Sequence, residues 1–243
     1  MLIEEIRKRV KIERKIESQV LDRDVFLTLG YLMNKKLIQT VDFPISKGKE
    51  AYVFRATGGE NAEDHFLALK IYMIDTSPFK HMYEYIHGDH RFRAIKRNKR
   101  DIVYAWTRKE YRNLKICEVA GIHAPSPYYF QKNVLLMSFI GDEGSPARLL
   151  KEVGPPDPRT NFKQLIRDIR KLYHNNLIHA DISEYNLLVK GDLLYLIDIG
   201  QGVGTEHPMA ESFLDRDIQN VLRYFSKFGI KDNFEDIKKK IIS

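Results

Sequence analysis

Three polar residues in the carboxyl-terminal half of the chain have the types and spacing needed for chemistry on phosphate groups. Asp181 lies five residues before Asn186, and Asp198 follows two short apolar runs that predict a β-hairpin. Phosphoryl transfer requires a group that orients the attacking hydroxyl and oxygen ligands that hold Mg²⁺ against the phosphates. Taken singly, each residue is more commonly an Asx turn or a helix cap. Their order, spacing and strand contexts together favour a phosphoryl-transfer site.

The same residues follow the pattern of protein kinases. The sequence His179-Ala180-Asp181 with Asn186 has the spacing of H-R-D-x-x-x-x-N. Asp198-Ile199-Gly200 stands where kinases carry D-F-G.

A kinase also needs a lysine on its third strand and a glutamate on the following helix. Lys70 closes the run Phe66-Leu67-Ala68-Leu69, which is similar to V-A-I-K. Glu110 lies in an apolar helical stripe, where an unpaired carboxylate would be costly. We therefore expect Lys70 and Glu110 to pair. The alternative is an edge-strand lysine and a half-exposed glutamate.

The turn between the first two predicted strands is Ser46-Lys47-Gly48-Lys49-Glu50-Ala51. It has one glycine, so it matches neither the kinase G-x-G-x-x-G nor a Walker A motif. By itself an ordinary hairpin turn is the better interpretation. In a two-lobed kinase, however, its backbone amides and Ser46 would lie above the triphosphate.

Hydrophobic periodicity predicts an α+β fold. Two amphipathic helices come first, followed by three antiparallel strands at Ile38 to Ile45, Ala51 to Thr57 and Phe66 to Tyr72. A helix through Val103 to Cys117, ending near Gly121, and a buried strand at Asn133 to Ile140 are expected next. A capping box at Asn161 and Gln164 predicts the start of another helix. The hairpin and a helix through Leu214 to Phe225 follow. Three glycines and four prolines between Gly141 and Pro158 indicate a hinge or domain boundary.

The predicted organisation is therefore residues 1–37 as helices packing on the catalytic domain, 38–140 as an amino-terminal lobe with a flexible loop at about 76–102, and 141–243 as a carboxyl-terminal lobe. Within the loop, residues 91–100 hold six basic residues and no acid. This run would either contact RNA phosphates or be a solvated, disordered segment.

Composition narrows the class of protein. The 243 residues carry a formal net charge of +7, which favours anionic partners. Cys117 is the only cysteine, so no internal disulfide can form and an intracellular, cytoplasmic protein is expected. No apolar run is long enough to span a membrane, and the charged amino end does not look like a secretory signal.

Together these motifs resemble the first branch of the RIO family of atypical serine/threonine protein kinases. That branch carries S-T-G-K-E-A, H-A-D-L-S-E-Y-N and I-D-x-G-Q. This chain has Ser46 to Ala51, His179 to Asn186 with Ile182 for leucine, and Ile197 to Gln201. The resemblance runs from about Ile38 to Gly229. The second branch has a winged-helix domain ahead of its lobes, and the 45 residues before Ser46 would be too few for one.

The resemblance implies a reduced two-lobe protein-kinase-like fold, with an antiparallel-sheet amino-terminal lobe, a mainly helical carboxyl-terminal lobe and extra amino-terminal helices. It implies ATP with Mg²⁺ or Mn²⁺, autophosphorylation on serine, protein substrates, and a role in maturation of the small ribosomal subunit with its rRNA as a partner. The implied catalytic residues are Asp181 as base, Asp198 and Lys70; the implied metal ligands are Asn186 and Asp198. The implied nucleotide contacts are Ser46, Lys47, Gly48, Lys49, Glu50, Ala51, Lys70, Glu110, Met137, Ser138 and Ile140.

Some features depart from the family or from ordinary kinases. Ser138 replaces a common glutamate at a backbone contact to adenine, and Lys47 replaces threonine. Only 45 residues follow Asp198, without the A-P-E of a peptide-docking subdomain. Members of the family have also been interpreted as ATPases that pass through a phosphorylated aspartate, here Asp198. Two hypotheses therefore remain: a serine kinase, and a ribosome-assembly factor that binds RNA and uses ATP hydrolysis as a release switch.

Overall fold

The computed structural model describes residues 3–13, 16–17, 20–75, 82–83, 85–86, 89, 91 and 98–243. The described residues form two compact units. The first draws on Met1–Met82, Ile95–Tyr111 and Pro127–Phe139, and the second on Tyr83–Ala94, Arg112–Ser126 and Ile140–Ser243. Most of the predicted flexible loop at 76–102 lies outside the described residues.

An antiparallel five-stranded sheet forms most of the first unit, in the order β1-β2-β3-β5-β4. Its strands are β1 (Ile38–Lys47), β2 (Ala51–Gly58), β3 (Phe66–Tyr72), β4 (Pro127–Gln131) and β5 (Val134–Ser138). The three strands predicted first are present, and β1 extends two residues further than predicted. β3 and β5 are apolar almost throughout because nearly all of their residues are buried, so neither face of these strands alternates with solvent.

Helices pack on this sheet and complete its core. They are α1 (Ile3–Lys8) and α2 (Arg23–Asn34), and the unit also holds the first part of α3 (Lys99–Val119). Asp22 caps α2 by accepting a hydrogen bond from the Val25 amide at 2.8 Å. The buried side chains of α2, including Leu29 and Leu32, join those of the sheet, including Val41 and Phe54. Burial of this continuous apolar surface is the main force that holds the unit together.

The second unit is mainly helical. Its elements are α4 (Leu150–Val153), α5 (Pro158–His174), α6 (Ala210–Ser226), α7 (Phe234–Ile242), the hairpin β6 (Gly141–Asp142) and β7 (Ser145–Pro146), and the sheet of β8 (Arg148–Leu149), β9 (Leu187–Lys190) and β10 (Leu193–Leu196). The predicted hairpin is present as β9 and β10. Strands β4, β6, β7 and β8 and helices α4 and α7 were not predicted.

The start of α5 differs from the prediction. Helix α5 begins with Asp157 as its cap and Pro158 in its first turn, so the predicted capping box at Asn161 and Gln164 is wrong. The predicted boundary at residue 141 lies within one residue of the point where the main segment of the second unit begins, Ile140. Residues 141–153 hold the short elements β6, β7, β8 and α4.

Residues 112–126, which the sequence placed in the amino-terminal lobe, belong to the second unit. They do so because their polar groups bond there: the Leu196 amide donates to the His123 carbonyl at 2.8 Å. Among the described residues, no helix is both long and apolar enough to cross a membrane.

Candidate active site

Lys70 and Glu110 form a buried ion pair in the first unit. Lys70 lies on the interior strand β3, opposite Val53 and Leu135, and its Nζ is 2.7 Å from Glu110 Oε1. The two residues are 6% and 1% exposed, and the Tyr72 hydroxyl donates to the other carboxylate oxygen of Glu110. The alternative of an edge-strand lysine with a half-exposed glutamate is therefore excluded. Two charges so far from solvent persist only when each is paired.

In the second unit, Asp181 and Asn186 are joined directly. The Asn186 side-chain amide donates to Asp181 Oδ2 and to the Asp181 carbonyl, both at 2.8 Å. Gln201 Nε2 lies 3.3 Å from the same Asp181 Oδ2. Because the nitrogen of the Asn186 amide is turned toward Asp181, its Oδ1 is left as the atom with which this residue can bind a cation.

Asp198 occupies a strained position between β10 and a short 3₁₀ turn, Ile199–Gln201. Its φ is +60°, which is uncommon for a residue other than glycine, and its side chain makes no capping bond to the turn. The Ile197 amide donates to the Asn186 carbonyl at 3.0 Å, which ties Asn186 to the residue before Asp198. Carboxylate and amide oxygens are the donors that Mg²⁺ prefers, so Asp198 and Asn186 fit this ion.

Helix α6 holds the segment around Asp181 from both sides. The Ala180 and Ile182 amides each donate to a carboxylate oxygen of Asp217 at 2.8 Å, and Arg216 donates to the Ala180 carbonyl. Ala180 has a φ of +67°, so this clamp stabilises a backbone conformation that is costly by itself. Burial raises the pKa of Asp217 to about 7, opposed by the two amide donors.

His179 links the two motifs from inside the unit. Its Nε2 is 3.2 Å from the Ile197 carbonyl, and only 1% of the residue is exposed. Burial lowers the pKa of His179 to about 4, so the ring is neutral near pH 7. The structure therefore gives His179 a packing and hydrogen-bonding role.

The predicted nucleotide loop and hinge are both well defined in the backbone. Ser46 and Lys47 belong to the end of β1, and Gly48 closes the turn by donating its amide to the Ala51 carbonyl at 2.9 Å. Met137 and Ser138 end β5, where they pair with Ala68 and Leu67 of β3. Ile140 follows at the start of the main segment of the second unit. The nucleotide contacts assigned to these residues stay predictions.

Two of the predicted sets of residues are thus each assembled within one unit. One is the Lys70 and Glu110 pair in the first unit, and the other is the group of Asp181, Asn186 and Asp198 in the second. The sequence patterns did not reveal the residues that contact these sets or the backbone beside them. These are Tyr72, Asn113, Gln201, Arg216 and Asp217. For Asp217 a signal was present, since an acid one turn after Leu214 lies within the apolar stripe of α6.

The fold and these two sets of residues define a protein of the kinase-like class. Among solved structures, the chain resembles the Rio2 kinase from Chaetomium thermophilum, whose structure is described as an ADP/Mg²⁺-phosphoaspartate complex, with a TM-score of 0.67, 22% identity, and coverage of 90% of this chain and 66% of that one. This likeness confirms the reduced two-lobe kinase-like fold that the sequence predicted.

The family model of the RIO domain matches residues 52–238. The chain is 41% identical over 228 residues to the RIO-type serine/threonine-protein kinase Rio1 of Haloferax volcanii, covering 93% of this chain and 78% of that protein. It is 43% identical over 189 residues to the Rio1 kinase of Thermoplasma acidophilum, covering 78% of this chain and 98% of that protein. The human serine/threonine-protein kinase RIO1 is 36% identical over 225 residues, and the match spans 39% of its length.

The chain therefore belongs to the RIO-domain family of serine/threonine-protein kinases, and within it to the Rio1 type. The resemblance found in its motifs is confirmed by these relatives.

Proposed function

We propose that the chain transfers the γ-phosphoryl group of ATP, with Mg²⁺ or Mn²⁺, to serine hydroxyls of proteins including itself. The observation that carries this proposal is the contact of the Asn186 amide with Asp181 at 2.8 Å, beside the strained turn at Asp198. This contact supports the proposal because it joins Asp181, the proposed base, to Asn186, which with Asp198 offers two oxygen donors for a cation.

Each residue has a defined part in the reaction. Asp181 accepts the proton of the serine hydroxyl while the serine oxygen forms its bond to the γ-phosphorus and the bond to the ADP oxygen breaks. Asn186 Oδ1 and Asp198 hold the metal ion, which neutralises charge on the phosphates. Lys70 binds phosphate oxygens, and Glu110 keeps its ammonium group in place.

The backbone supplies the remaining nucleotide contacts. Amides of the loop Ser46 to Ala51 bind phosphate oxygens, and the Ser138 carbonyl and the Ile140 amide bind adenine. Lys47 and Lys49 add positive charge to the phosphate end.

We also propose that the protein acts in the cytoplasm. Its single cysteine, Cys117, is buried as a free thiol, which is in keeping with a reducing compartment.

The test of this proposal is phosphoserine formation. Purified protein is incubated with ATP and Mg²⁺, and phosphoserine is mapped by mass spectrometry in the wild type and in Asp181→Asn. A matched control is Asp192→Asn in the turn between β9 and β10, which replaces an exposed carboxylate of the same unit. We expect phosphoserine in the wild type and the control but none in Asp181→Asn. Equal phosphoserine in all three would refute the assignment of Asp181.

A second candidate is ATP hydrolysis through an aspartyl phosphate, favoured by the phosphoaspartate of the Rio2 complex. In this reaction a carboxylate oxygen of Asp198 attacks the γ-phosphorus, the bond to ADP breaks, and water then releases phosphate. Hydrolysis would act as a release switch on the precursor of the small ribosomal subunit. The net charge of +7 favours binding of the RNA in that precursor.

Two results would identify this second function. Label from γ-labelled ATP should enter a hydroxylamine-labile adduct that Asp198→Ala lacks. The affinity for small-subunit rRNA should fall steeply with salt and differ between the ATP and ADP states. Acid-stable phosphoserine without any hydroxylamine-labile label would instead favour the kinase.

A further inference from the structure

A buried amide on α3 contacts the turn that follows Asp198. Asn113 is 0% exposed, and its Nδ2 donates to the carbonyls of Ile199 and Gly202 at 2.8 and 2.9 Å. Both hydrogens of this amide are therefore used on the two ends of one turn. Asp198, directly before this turn, has a φ of +60°. The turn needs such contacts because strained backbone persists only where its surroundings fix it.

The close packing at Gly202 supports the same conclusion. A Cβ added at Gly202 would lie 3.0 Å from Asn113 Nδ2, 3.1 Å from the Ile199 carbonyl oxygen and 3.2 Å from the Ile178 carbonyl oxygen. The amide of Asn113 thus sits against the backbone of the turn with no room for a side chain between them. Ile178 and Val203 also exchange two backbone hydrogen bonds, at 2.8 and 2.9 Å, which anchor the turn to the segment before Asp181.

A second contact fixes which way the Asn113 amide faces. Arg91 Nη1 donates to Asn113 Oδ1 at 3.1 Å, so the oxygen faces the guanidinium and the nitrogen faces the turn. Arg91 is itself held by Asp89, which is 3% exposed and accepts from Arg91 Nη2 at 2.6 Å and from Nε at 2.8 Å. All of these residues belong to the second unit.

We propose that Asn113, oriented by the Arg91 and Asp89 pair, is a positioning residue that sets the affinity of the Asp198 turn for its divalent cation. Asn113 touches no substrate and acts only through the backbone on either side of Ile199 to Gln201. The inference rests on the proposed function, because it takes Asp198 as a metal ligand.

The deciding variant is Asn113→Asp. It keeps the size of the side chain and the acceptor for Arg91, but it turns a carboxylate oxygen toward two carbonyl oxygens. The matched control is Asn161→Asp on α5. Asn161 is also 0% exposed and also donates to a backbone carbonyl, that of Asp192 at 2.7 Å, but it does not contact the Asp198 turn.

The measurement is the affinity of the full chain for Mn²⁺ in the presence of ADP. The electron paramagnetic resonance signal of free Mn²⁺ reports binding, and the temperature is kept well below that of unfolding. We expect Asn113→Asp to raise the Mn²⁺ dissociation constant about tenfold, the size typical when support of a metal ligand is lost. Asn161→Asp should lower the melting temperature but change the dissociation constant by less than about twofold.

Arg91→Lys keeps the proposal testable if Asn113→Asp does not fold. Lysine retains the charge beside Asp89 but lacks the fork that reaches Asn113. We expect a smaller rise in the Mn²⁺ dissociation constant, and no further rise when Arg91→Lys is added to Asn113→Asp, because both act through one contact.

Each outcome is informative. If the Mn²⁺ affinity of Asn113→Asp is unchanged, the inference is overturned and the proposed function still stands. If only Arg91→Lys folds, an unchanged affinity in that variant has the same meaning. A wild type that binds no Mn²⁺ with ADP overturns the proposed function and the inference with it.

Discussion

At the scale of single residues, the two units accommodate buried ionisable groups in different ways, one as an ion pair and the other as a neutral ring. Glu110 is charged and paired with Lys70, with the Tyr72 hydroxyl on its second oxygen. His179 is neutral because burial lowers its pKa to about 4. Both arrangements follow from the cost of an uncompensated charge away from water.

The Lys70 and Glu110 pair should be more sensitive to loss of one partner than to loss of both. Lys70→Met leaves a buried carboxylate without its cation, and we expect a loss of about 3 to 5 kcal/mol in the free energy of unfolding. Adding Glu110→Gln should recover part of that loss. Urea unfolding of the two single variants and the double variant measures this.

The control is Lys36→Met, which breaks the exposed pair between Lys36 and Glu60. It should change the free energy of unfolding by less than about 1 kcal/mol. Equal losses in Lys36→Met and Lys70→Met would contradict the account of the buried pair.

His179 should make the folded chain less stable in acid. Its pKa is about 4 in the folded chain, against the ordinary histidine value of 6.5 that applies when the chain is unfolded. Between these two values the unfolded chain therefore binds a proton that the folded chain does not. The contribution is present above about pH 6.5 and is lost as the pH falls toward 4.

His179→Gln removes this titration. The difference in unfolding free energy between wild type and variant should therefore shrink between pH 6.5 and pH 4, by roughly 3 kcal/mol at 1.36 kcal/mol per pKa unit. The exposed His174 provides the control in His174→Gln. A pH-independent difference for His179→Gln would show that the ring is not buried neutral.

Charged residues in apolar patterns were the part of the site that the sequence predicted best. Glu110 could be paired with Lys70 in advance because a carboxylate in an apolar stripe needs a partner. The contacts of Tyr72 and Gln201 could not be predicted, since they depend on which hydroxyl or amide lies within hydrogen-bond reach after folding.

At the scale of elements, α6 determines the geometry of the catalytic segment. Asp217 accepts from the amides on both sides of Asp181, and Asn220 of the same helix donates to the Ile182 carbonyl at 3.1 Å. A helix is a rigid support, so these bonds keep the Asp181 carboxylate in one place.

Asp217→Asn should therefore lower kcat while leaving the KM for ATP nearly unchanged. The amide nitrogen would face a backbone donor, one hydrogen bond would be lost, and Asp181 would shift. We expect kcat to fall about 10²-fold, as for small misplacements of a catalytic group. Steady-state kinetics of phosphate transfer measures both constants.

Asp215→Asn on the same helix is the matched control, because Asp215 pairs with Lys238 of α7 at 2.8 Å and does not contact the catalytic segment. It should change kcat by less than about twofold. A fall in kcat of the same size in both variants would mean that α6 acts only through general stability.

Elements with long, regular periodicity were predicted well, and short ones were not. Helix α6 and strands β1 to β3 have clear apolar patterns. Strand β4, Pro127–Gln131, is largely half-buried and begins with a proline, and β8 has two residues, so neither has a period to detect. The start of α5 was misplaced because Asp157, four residues before Asn161, caps the helix. The Asn161 side chain instead accepts from the Asp157 amide and donates to the Asp192 carbonyl.

At the scale of the whole molecule, each of the two units contains part of the residue set that we propose for phosphoryl transfer. The first holds Lys70 and Glu110, and the second holds Asp181, Asn186 and Asp198. Since the reaction needs both sets, loss of either should abolish it. The fold class followed from the order of elements and motifs in the sequence. The grouping of residues 112–126 with the second unit did not, because it rests on long-range hydrogen bonds to Asn113 and His123.

The proposed reaction depends on Asp198 and Asn186 binding the cation that makes transfer from ATP possible. The most direct test is a single-turnover measurement of γ-labelled ATP consumption, with and without Mg²⁺, in the wild type and in Asp198→Asn. We expect the wild type to consume ATP only with Mg²⁺ or Mn²⁺, and Asp198→Asn to be at least about 10³-fold slower. Consumption at equal rates in the two proteins, or without any divalent cation, would contradict the account.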